Sequence, residues 1–417
     1  MTQAQATTVL TREKPLAIEL TPEIAAITGW IASRGLLRVS FATLLEGFCE
    51  RMVEIGVPLS RGYVSARTLH PRVRGTGCSW QAGRGVQSEL YIYDEIETTE
   101  FVVSPFRHML DLGQQRMRLR LAELQAVQFP LVERLRREGG TDYLAHNVSF
   151  GVDGEASRRS GVLASWTTKQ AGGFTERQLA ILDHMAPRLA LALQARLAHE
   201  ITVNLLDAYV GPDAGRRVLD GEIRRGSLEV ISAVIFYADL RSFTAVADTL
   251  GREEIIDALN AYFDCIVPVV DRHRGQVLKF LGDGLLATFP LEAQATPAAC
   301  ERALDAAASA LGCVRDLNAE RAAAGRPVMD LDIALHLGDV FYGNVGSADR
   351  LDFTVIGPAV NEAARIEALC SQQGHSLLVS EAFAQAATAS ADRLVSIGRF
   401  ALRGVRAAQS IYTLDGF

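Results

Sequence analysis

The sequence predicts an α+β protein of more than one domain, with a ferredoxin-like core in its C-terminal half. Its 417 residues leave room for two or three domains. From Leu228 onward the apolar patterns follow one another as strand, helix, hairpin, helix and strand, which is the split βαβ plan of ferredoxin-like folds. A long amphipathic helix that begins near Thr175 joins this half to a first half of shorter strands and helices.

The composition is that of an ordinary globular protein, with 48% hydrophobic and 22% charged residues. The net charge of -7 and the pI near 5.7 argue against binding to nucleic acids or anionic membranes. No apolar run reaches the roughly 18–20 residues of a membrane helix, and the N-terminus lacks the apolar core of a signal peptide. The six cysteines form no CxxC pair, which favours reduced thiols. We therefore expect a cytoplasmic protein with no nucleic-acid or membrane partner.

The N-terminal residues predict a loose tail followed by two helices. The first helix covers Thr21–Ser33 and begins with Pro22 in its first turn. Ser40 caps the second helix, whose buried stripe is indicated by apolar residues three and four positions apart: Phe41, Leu44, Leu45, Phe48, Met52 and Ile55. We assign the tail and the first helix to residues 1–35.

Strands and a short helix make up most of the rest of the first half. Strands are predicted over Tyr63–Leu69 and Glu89–Ile92. Glycine-rich turns are expected between them, at Gly75, Gly77, Gly83 and Gly85. A helix over Phe129–Arg137 and strands over Asp142–Phe150 and Gly161–Thr167 follow.

Thr175 and Gln178 form a capping box that opens the long helix. The helical pattern is longer than that of most globular helices, which indicates a seam between two chains or a connecting rod. We assign residues 36–196 to a first folded domain and residues 197–228 to a helical linker.

Residues 229–417 are assigned to a C-terminal domain. Its predicted elements are, in order, a strand (Ser232–Ala238), a helix (Arg252–Arg272), a hairpin (Gln276–Phe289), a helix (Pro297–Ala324), three strands (Asp330–Leu337, Val340–Val345, Leu351–Val355), a helix (Val360–Leu369) and a final pair of strands.

Two aspartates of this domain stand where a metal site could form. Asp239 ends a strand that is apolar on both faces, and Asp283 occupies the Gly-Asp-Gly tip of the hairpin. Mg²⁺ prefers oxygen ligands and is usually held by one or two carboxylates together with substrate phosphates. Taken alone, Asp239 is more typical of a helix cap and Asp283 is more typical of a hairpin turn than of a metal site. The segment after Asp239, which includes Phe243 and Thr244, would open a helix or turn whose free N–H groups suit phosphate oxygens.

Further polar residues of interest follow in the same domain. Lys279 lies four residues before Asp283, and a lone lysine on a strand is usually solvated. Asn361 and Arg365 are four residues apart on a helix and therefore project from one face.

These segments together resemble the catalytic domain of class III nucleotidyl cyclases over about residues 229–417. Five motifs occur in the order of that family: FYADLRSFT, LKFLGDGLLATF, LHLGDVFYGNVGS, LDFTVIGPAVNEAAR and GRFALRGVRAAQSIYTL. The resemblance implies a homodimer with two Mg²⁺ or Mn²⁺ ions per site, in which Asp239 and Asp283 are the metal ligands of one protomer.

The same resemblance implies the roles of the remaining residues. Lys279 and Thr354 would read the purine edge, Asn361 would orient the ribose, and Arg365 would stabilise charge on the α-phosphate. Arg403 lies where many members of the family carry a triphosphate-binding lysine, so the charge is kept while shape and reach differ.

The resemblance favours an adenylate cyclase that converts ATP to 3′,5′-cyclic AMP and pyrophosphate. Lys279 can only donate a hydrogen bond, whereas Thr354 can donate or accept, and this pair suits the edge of adenine. Guanylate cyclases typically have Glu and Cys at the two positions. A guanylate cyclase and a degenerate, nucleotide-binding regulatory protein remain as alternatives. No side chain is an obvious general base, and His336 is interpreted as structural.

Residues 36–196 resemble the end of a GAF-type sensor. Two strands, a Gly-Phe-Thr cap and a final helix (Gly172–Leu193) carry this likeness. It implies a regulatory domain with a small-molecule ligand. The aromatic residues Trp80, Tyr91, Phe106 and Trp166 could line its pocket or form plain core. A dimerisation scaffold without a ligand is the alternative.

Overall fold

The computed structural model describes residues 19–93, 99–124, 129–151, 161–291, 296–405 and 407–415. The chain divides into two compact units, unit 1 (Met1–Leu205) and unit 2 (Leu206–Phe417). Residues 1–18 of the predicted tail lie outside the described residues. No helix in the described parts of the chain is both long and apolar enough to cross a membrane.

Unit 1 is built on a sheet with helices on both of its faces. The helices are α1 (Pro22–Leu36), α2 (Phe41–Glu54), α3 (Thr99–Val102), α4 (Pro105–Asp111), α5 (Pro130–Arg137) and α6 (Glu176–Val210), whose last residues extend past Leu205. The strands are β1 (Leu59–Arg67), β2 (Val73–Gln81), β3 (Gly85–Ile92), β4 (Arg116–Leu119), β5 (Asp142–Ser149) and β6 (Gly161–Thr168). Neighbouring strands are antiparallel, in the order β3-β2-β1-β6-β5-β4.

Several helices of unit 1 begin with a side-chain cap, and the caps at Ser40 and at Thr175 with Gln178 were predicted. Thr21 accepts a hydrogen bond from the Ile24 amide, and Ser40 accepts one from the Thr43 amide at 3.1 Å. The Thr175 amide donates to Gln178 Oε1 at 2.9 Å, and the Gln178 amide donates to Thr175 Oγ1 at 3.3 Å. These side chains satisfy backbone groups that a helix end leaves unpaired.

Successive side chains along a strand point to opposite faces of the sheet, so the two faces of the sheet of unit 1 pack against two different hydrophobic cores. One face carries Trp80 and Trp166 and packs with residues of α1, α2 and α6. The opposite face carries Tyr63 and Tyr143 and packs with residues of α4 and α5, Phe106 among them. The four aromatics named from the sequence therefore divide between the two faces, which favours plain core over the lining of one shared pocket.

The glycine-rich turns predicted at Gly75 and Gly77 were wrong, because both residues lie within β2. A Cβ on Gly77 would lie 2.9 Å from the hydroxyls of both Tyr63 and Tyr91. Glycine is needed there for the close approach of two aromatic side chains rather than for a turn.

Unit 2 has an α+β architecture around one larger sheet. Its helices are α7 (Pro212–Leu219), α8 (Phe243–Ala247), α9 (Arg252–Arg272), α10 (Thr296–Ala323), α11 (Pro358–Gln373) and α12 (Glu381–Ala386). Its strands are β7 (Leu228–Leu240), β8 (Gln276–Leu281), β9 (Gly284–Pro290), β10 (Leu331–Gly346), β11 (Leu351–Ile356), β12 (Leu377–Ser380), β13 (Leu394–Phe400) and β14 (Gln409–Leu414).

The strands of unit 2 run in the order β13-β14-β12-β10-β7-β9-β8, and β11 pairs with β10. Among β10, β7, β9 and β8, each pair of neighbouring strands is antiparallel. Together with α9 and α10 they follow the predicted strand–helix–hairpin–helix–strand order. One face of this sheet packs on α9 and α10 around Phe236, Tyr262 and Phe289. Buried residues of α11 pack on the opposite face, with Ile235.

Two strands predicted over Asp330–Leu337 and Val340–Val345 are one continuous strand, β10. The whole of β7 pairs with it, from Leu240 opposite Leu331 to Leu228 opposite Gly343. Gly338 and Asp339 resemble a turn in sequence, but the long partner strand supplies hydrogen bonds along the whole segment. His336 and Asp339 consequently lie on the same strand.

Candidate active site

The two predicted metal ligands come together at one end of the sheet of unit 2. Asp239 is the next-to-last residue of β7, and Asp283 lies in the two-residue turn between β8 and β9. Gly282 begins this turn with φ of +73°, as a tight hairpin requires. A Cβ on Gly284 would lie 2.5 Å from Asp239 Oδ1, so the hairpin tip packs directly against the Asp239 carboxylate.

This end of the sheet concentrates negative charge. Burial, with the nearby charges of Asp283 and Asp332, raises the pKa of Asp239 to about 6. Burial and the charges of Asp239, Asp332 and Asp283 raise the pKa of Glu367, on α11, to about 7. Arg241 pairs with Asp332, from Nε to Oδ2 at 3.0 Å and from Nη2 to Oδ1. Repulsion between carboxylates is the condition that a bound cation relieves.

The donor set at this end fits a magnesium ion that arrives with a nucleotide. Two carboxylates provide hard oxygen ligands, and Mg²⁺ completes its shell with phosphates and water. Among the described residues, no group of three or more His, Cys, Asp or Glu side chains could hold a metal ion. The pair Asp239 and Asp283 therefore suits a metal shared with substrate better than a structural metal.

The two predicted base-reading residues lie on neighbouring parts of one surface. Lys279, on β8, donates from Nζ to Asp352 Oδ2 at 3.1 Å. Asp352 is two residues before Thr354 on β11, so both side chains leave the same face of that strand. The structure thus brings Lys279 close to the side of β11 that carries Thr354.

Thr354 has a buried hydroxyl without a hydrogen-bond partner. The residue is 3% exposed, and its Oγ1 is among the buried polar atoms that find no partner in the described part of the chain. An unsatisfied buried hydroxyl costs about 1–3 kcal/mol, which a hydrogen bond from a ligand would offset.

Asn361 and Arg365 lie on α11, one turn apart. Asn361 is exposed, whereas Arg365 is half-buried against the turn that follows β13. A Cβ on Gly404 would lie 3.5 Å from Arg365 Nη2, and Gly404 adopts φ of +76° in this turn. Arg403 precedes it and is exposed. The structure therefore brings two arginines predicted to meet phosphates to the same turn.

Phe243 and Thr244 open α8 directly after β7, as predicted for this segment. Phe243 packs partly against the core shared with α9, and Thr244 is exposed. Contact of their N–H groups with phosphate stays a prediction.

His336 is part of the packing between β10 and α11. It is 5% exposed, its Nε2 lies 3.8 Å from Glu362 Oε2, and burial lowers its pKa. A buried, carboxylate-paired histidine supports the structural interpretation made from the sequence.

Three residues near the site were missed in the sequence: Asp332, Asp352 and Glu367. The spacing of two between Asp352 and Thr354 was a usable signal, because residues two apart on a strand share a face. Asp332 faces Asp239 across the β7–β10 pairing, and only the strand register reveals this. Glu367 follows Arg365 by two positions on α11, which puts it on a different side of the helix.

Residues 228–416 match the family model of the Adenylate and Guanylate cyclase catalytic domain. This part of the chain is a cyclase-family domain. The match confirms the class III resemblance drawn from the five motifs. The GAF-like interpretation of unit 1 stays a prediction.

Several cyclases are similar to this chain. An adenylate cyclase of Anabaena cylindrica is 32% identical over 163 residues, which are 38% of this chain and 31% of that protein. A terminal-differentiation-specific adenylate cyclase of Dictyostelium discoideum is 28% identical over 189 residues, which are 44% of this chain and 9% of that protein. The chain thus spans less than a third of these two curated relatives. The crystal structure of adenylyl cyclase CyaB from P. aeruginosa matches with a TM-score of 0.41 at 23% identity, covering 45% of this chain and 95% of that one.

Proposed function

We propose that the cyclase domain converts ATP to 3′,5′-cyclic AMP and pyrophosphate with two divalent cations, Mg²⁺ or Mn²⁺, per site. The observation that best supports this proposal is the pair of carboxylates, Asp239 and Asp283, at one end of the sheet. Gly284 allows the hairpin tip that carries Asp283 to approach the Asp239 carboxylate closely. When bound, divalent cations lower the pKa of the attacking hydroxyl and stabilise negative charge on the phosphates. The two aspartates would hold them there.

The reaction is an intramolecular nucleotidyl transfer. The ribose 3′-oxygen forms a bond to the α-phosphorus, and the bond from that phosphorus to the oxygen bridging to the β-phosphate breaks. Pyrophosphate leaves with the electron pair of that bond, and the hydroxyl proton passes to water. The protein needs to orient the hydroxyl in line and to stabilise the charge that develops.

Five further residues share the positioning of substrate in this proposal. Asn361 would hold the ribose, and Arg365 would balance charge on the α-phosphate. Arg403 and the N–H groups at Phe243 and Thr244 would meet the remaining phosphates. The packing of the Arg365 guanidinium against the turn at Gly404, the residue after Arg403, supports this division.

Adenine is favoured over guanine by the groups at the base-reading surface. Lys279 would donate to a ring nitrogen of adenine, and the free Thr354 hydroxyl would accept from its exocyclic amino group. The unpartnered state of that hydroxyl supports this assignment. Guanine presents the opposite pattern, a carbonyl acceptor and a ring N–H donor, and is the second candidate substrate.

We further propose that the active form is a homodimer with two composite sites. Asp239 and Asp283 would come from one protomer and the set Lys279, Thr354, Asn361 and Arg365 from its partner. Unit 1 would act as a GAF-like regulatory domain in a cytoplasmic protein and would bind a small molecule.

A direct assay tests the proposal. Purified full-length protein is incubated with ATP or GTP and with Mg²⁺ or Mn²⁺, and cyclic nucleotide and pyrophosphate are measured. We expect cyclic AMP, with at least tenfold lower turnover of GTP. Predominant cyclic GMP would establish the guanylate cyclase. Nucleotide binding without any cyclic product, in protein with a normal unfolding transition, would establish the degenerate regulatory protein.

A further inference from the structure

Unit 1 contains a cluster of polar side chains on the sheet face that packs with α4 and α5. Thr167 of β6 stands opposite Arg61 of β1 on one side and opposite Tyr143 of β5 on the other. Ser165 follows on the same face of β6, opposite Tyr63. We call Arg61, Tyr143, Ser165 and Thr167 the β1–β6–β5 cluster.

All four residues carry a buried polar atom that lacks a hydrogen-bond partner. These atoms are Arg61 Nη1, Tyr143 Oη, Ser165 Oγ and Thr167 Oγ1. Tyr143 and Ser165 are 0% exposed, and Thr167 is 2% exposed. The Tyr143 and Ser165 hydroxyls are close enough to influence each other but lie outside hydrogen-bonding geometry. Native proteins rarely leave buried polar groups unsatisfied, so four of them in adjacent rows require an explanation.

The charge at the cluster is positive. The Arg61 guanidinium lies over the Tyr63 ring, with Cζ 5.2 Å from the ring centroid. Burial lowers the pKa of Arg61, and Arg134 of α5 is near enough to lower it further. The Tyr63 hydroxyl is hydrogen-bonded to the Tyr91 hydroxyl at 2.6 Å, and the Tyr91 hydroxyl donates to the Glu89 carboxylate. Glu89, the acid near the cluster, therefore already has a hydrogen-bond partner.

We propose that the β1–β6–β5 cluster binds the oxyanion of a small ligand, a carboxylate or phosphate group. Guanidinium groups recognise both by paired N–H donors, and three hydroxyls add further donors. The oxygens of such a group can accept hydrogen bonds from all four kinds of donor in the cluster, whereas a neutral apolar ligand can accept none. Phe106, Met109, Val132 and Leu135 share the hydrophobic cluster of Tyr143 and would exclude water from the complex.

Thermal unfolding of the full-length protein tests this site. Sodium acetate and sodium phosphate are titrated at constant ionic strength against sodium chloride. We expect at least one of the two oxyanions to raise the unfolding temperature saturably by several degrees. Arg61→Gln should abolish the shift. Thr167→Val and Tyr143→Phe, which keep size and charge, should each raise the midpoint concentration about tenfold while folding normally.

Two controls separate this site from others. Arg107→Gln removes an exposed arginine of the same unit, paired with Asp111, and should leave the midpoint unchanged. Arg365→Ala removes a proposed phosphate contact of unit 2 and should also leave it unchanged, whether or not that unit is a cyclase. A shift that is lost in Arg365→Ala but kept in Arg61→Gln would overturn the proposal. So would the absence of a saturable shift with either oxyanion, or equal shifts in the wild type, Thr167→Val and Tyr143→Phe.

Discussion

The Lys279 ammonium is held by the Asp352 carboxylate, with Nζ 3.1 Å from Oδ2. Asp352 belongs to the strand that carries Thr354, so the ion pair ties the lysine of β8 to the surface where the adenine is expected. An unpaired lysine would be distributed over many rotamers, and ordering it on binding would cost entropy. Asp352 is therefore expected to position Lys279 for the base.

Asp352→Asn should raise the KM for ATP three- to tenfold while kcat changes less. The Asp352 side chain is 60% exposed, and a surface ion pair contributes about 0–1 kcal/mol, so the unfolding temperature should hardly change. Steady-state kinetics with ATP and GTP give the readout. Asp349→Asn, at an exposed acid in the connection before β11, is the control. Unchanged ATP kinetics in Asp352→Asn would exclude the positioning role.

Gly284→Ala should lower cyclase activity at least tenfold. Its Cβ would lie 2.5 Å from Asp239 Oδ1 and 2.6 Å from the Ala238 carbonyl oxygen, so the Asp239 carboxylate must move. Displacement of a ligand by about 1 Å is enough to impair positioning catalysis. Gly312→Ala is the matched control, because nothing lies within 4 Å of a Cβ at that helical position. Full activity in Gly284→Ala would show that the Asp239 position is not critical.

Asp283→Asn should stabilise the metal-free protein, by up to about 1 kcal/mol, because it removes repulsion from Asp239. The same variant should lose most of the stabilisation that Mn²⁺ with a non-hydrolysable ATP analogue gives the wild type. Thermal unfolding with and without these additions measures both effects. Asp264→Asn, on the exposed side of α9, should behave as the wild type. Equal stabilisation of Asp283→Asn and wild type by metal and nucleotide would contradict the metal role of Asp283.

Local signals were enough to predict much of this fold. The Ser40 cap and the Thr175–Gln178 box were predicted because a cap involves residues only three positions apart. Helix α9 was predicted with its bounds, Arg252–Arg272, from its apolar periodicity. The motif residues Asp239 and Asp283 were likewise found from their immediate neighbours.

Long-range pairing explains what the sequence did not reveal. Local rules predict turns within β2 because glycine is a typical turn residue, and only the neighbours Tyr63 and Tyr91 explain the glycine at position 77. The break predicted within β10 disappears because β7 pairs along its length. The β1–β6–β5 cluster depends on the register of three strands, which no local pattern encodes.

His336 should make the protein less stable in mild acid. Because burial lowers its pKa below the usual 6.5, the unfolded chain binds this proton more readily than the folded one. The stability that neutral His336 contributes to the folded protein is therefore fully present above pH 6.5 and is lost as the pH falls below it. Glu362 faces the imidazole and opposes part of the effect, although its Oε2 also accepts a bond from Gln409 at 2.8 Å.

Unfolding by urea between pH 7.5 and 5.5 measures this dependence. His336→Gln should show a shallower loss of stability than the wild type over that range. His108→Gln, at a half-buried histidine of unit 1, is the control. An equally steep loss in His336→Gln and wild type would assign the acid sensitivity to other groups.

Mixing two inactive variants should restore activity if each active site combines residues of two protomers. Asp283→Ala removes a metal ligand, and Arg365→Ala removes the proposed α-phosphate contact. In a mixed dimer, the first variant supplies an intact Arg365 and the second an intact Asp283, so one of the two composite sites is complete. With free exchange of subunits, half of the dimers are mixed and half of their sites work, which gives about a quarter of wild-type activity.

Cyclic AMP formation is measured against the mixing ratio, with a maximum expected at equal amounts. The double variant, Asp283→Ala with Arg365→Ala, is the control, since mixing it with either single variant completes no site. If both single variants fold and exchange subunits but the mixture stays inactive, the metal and phosphate residues must act within one protomer.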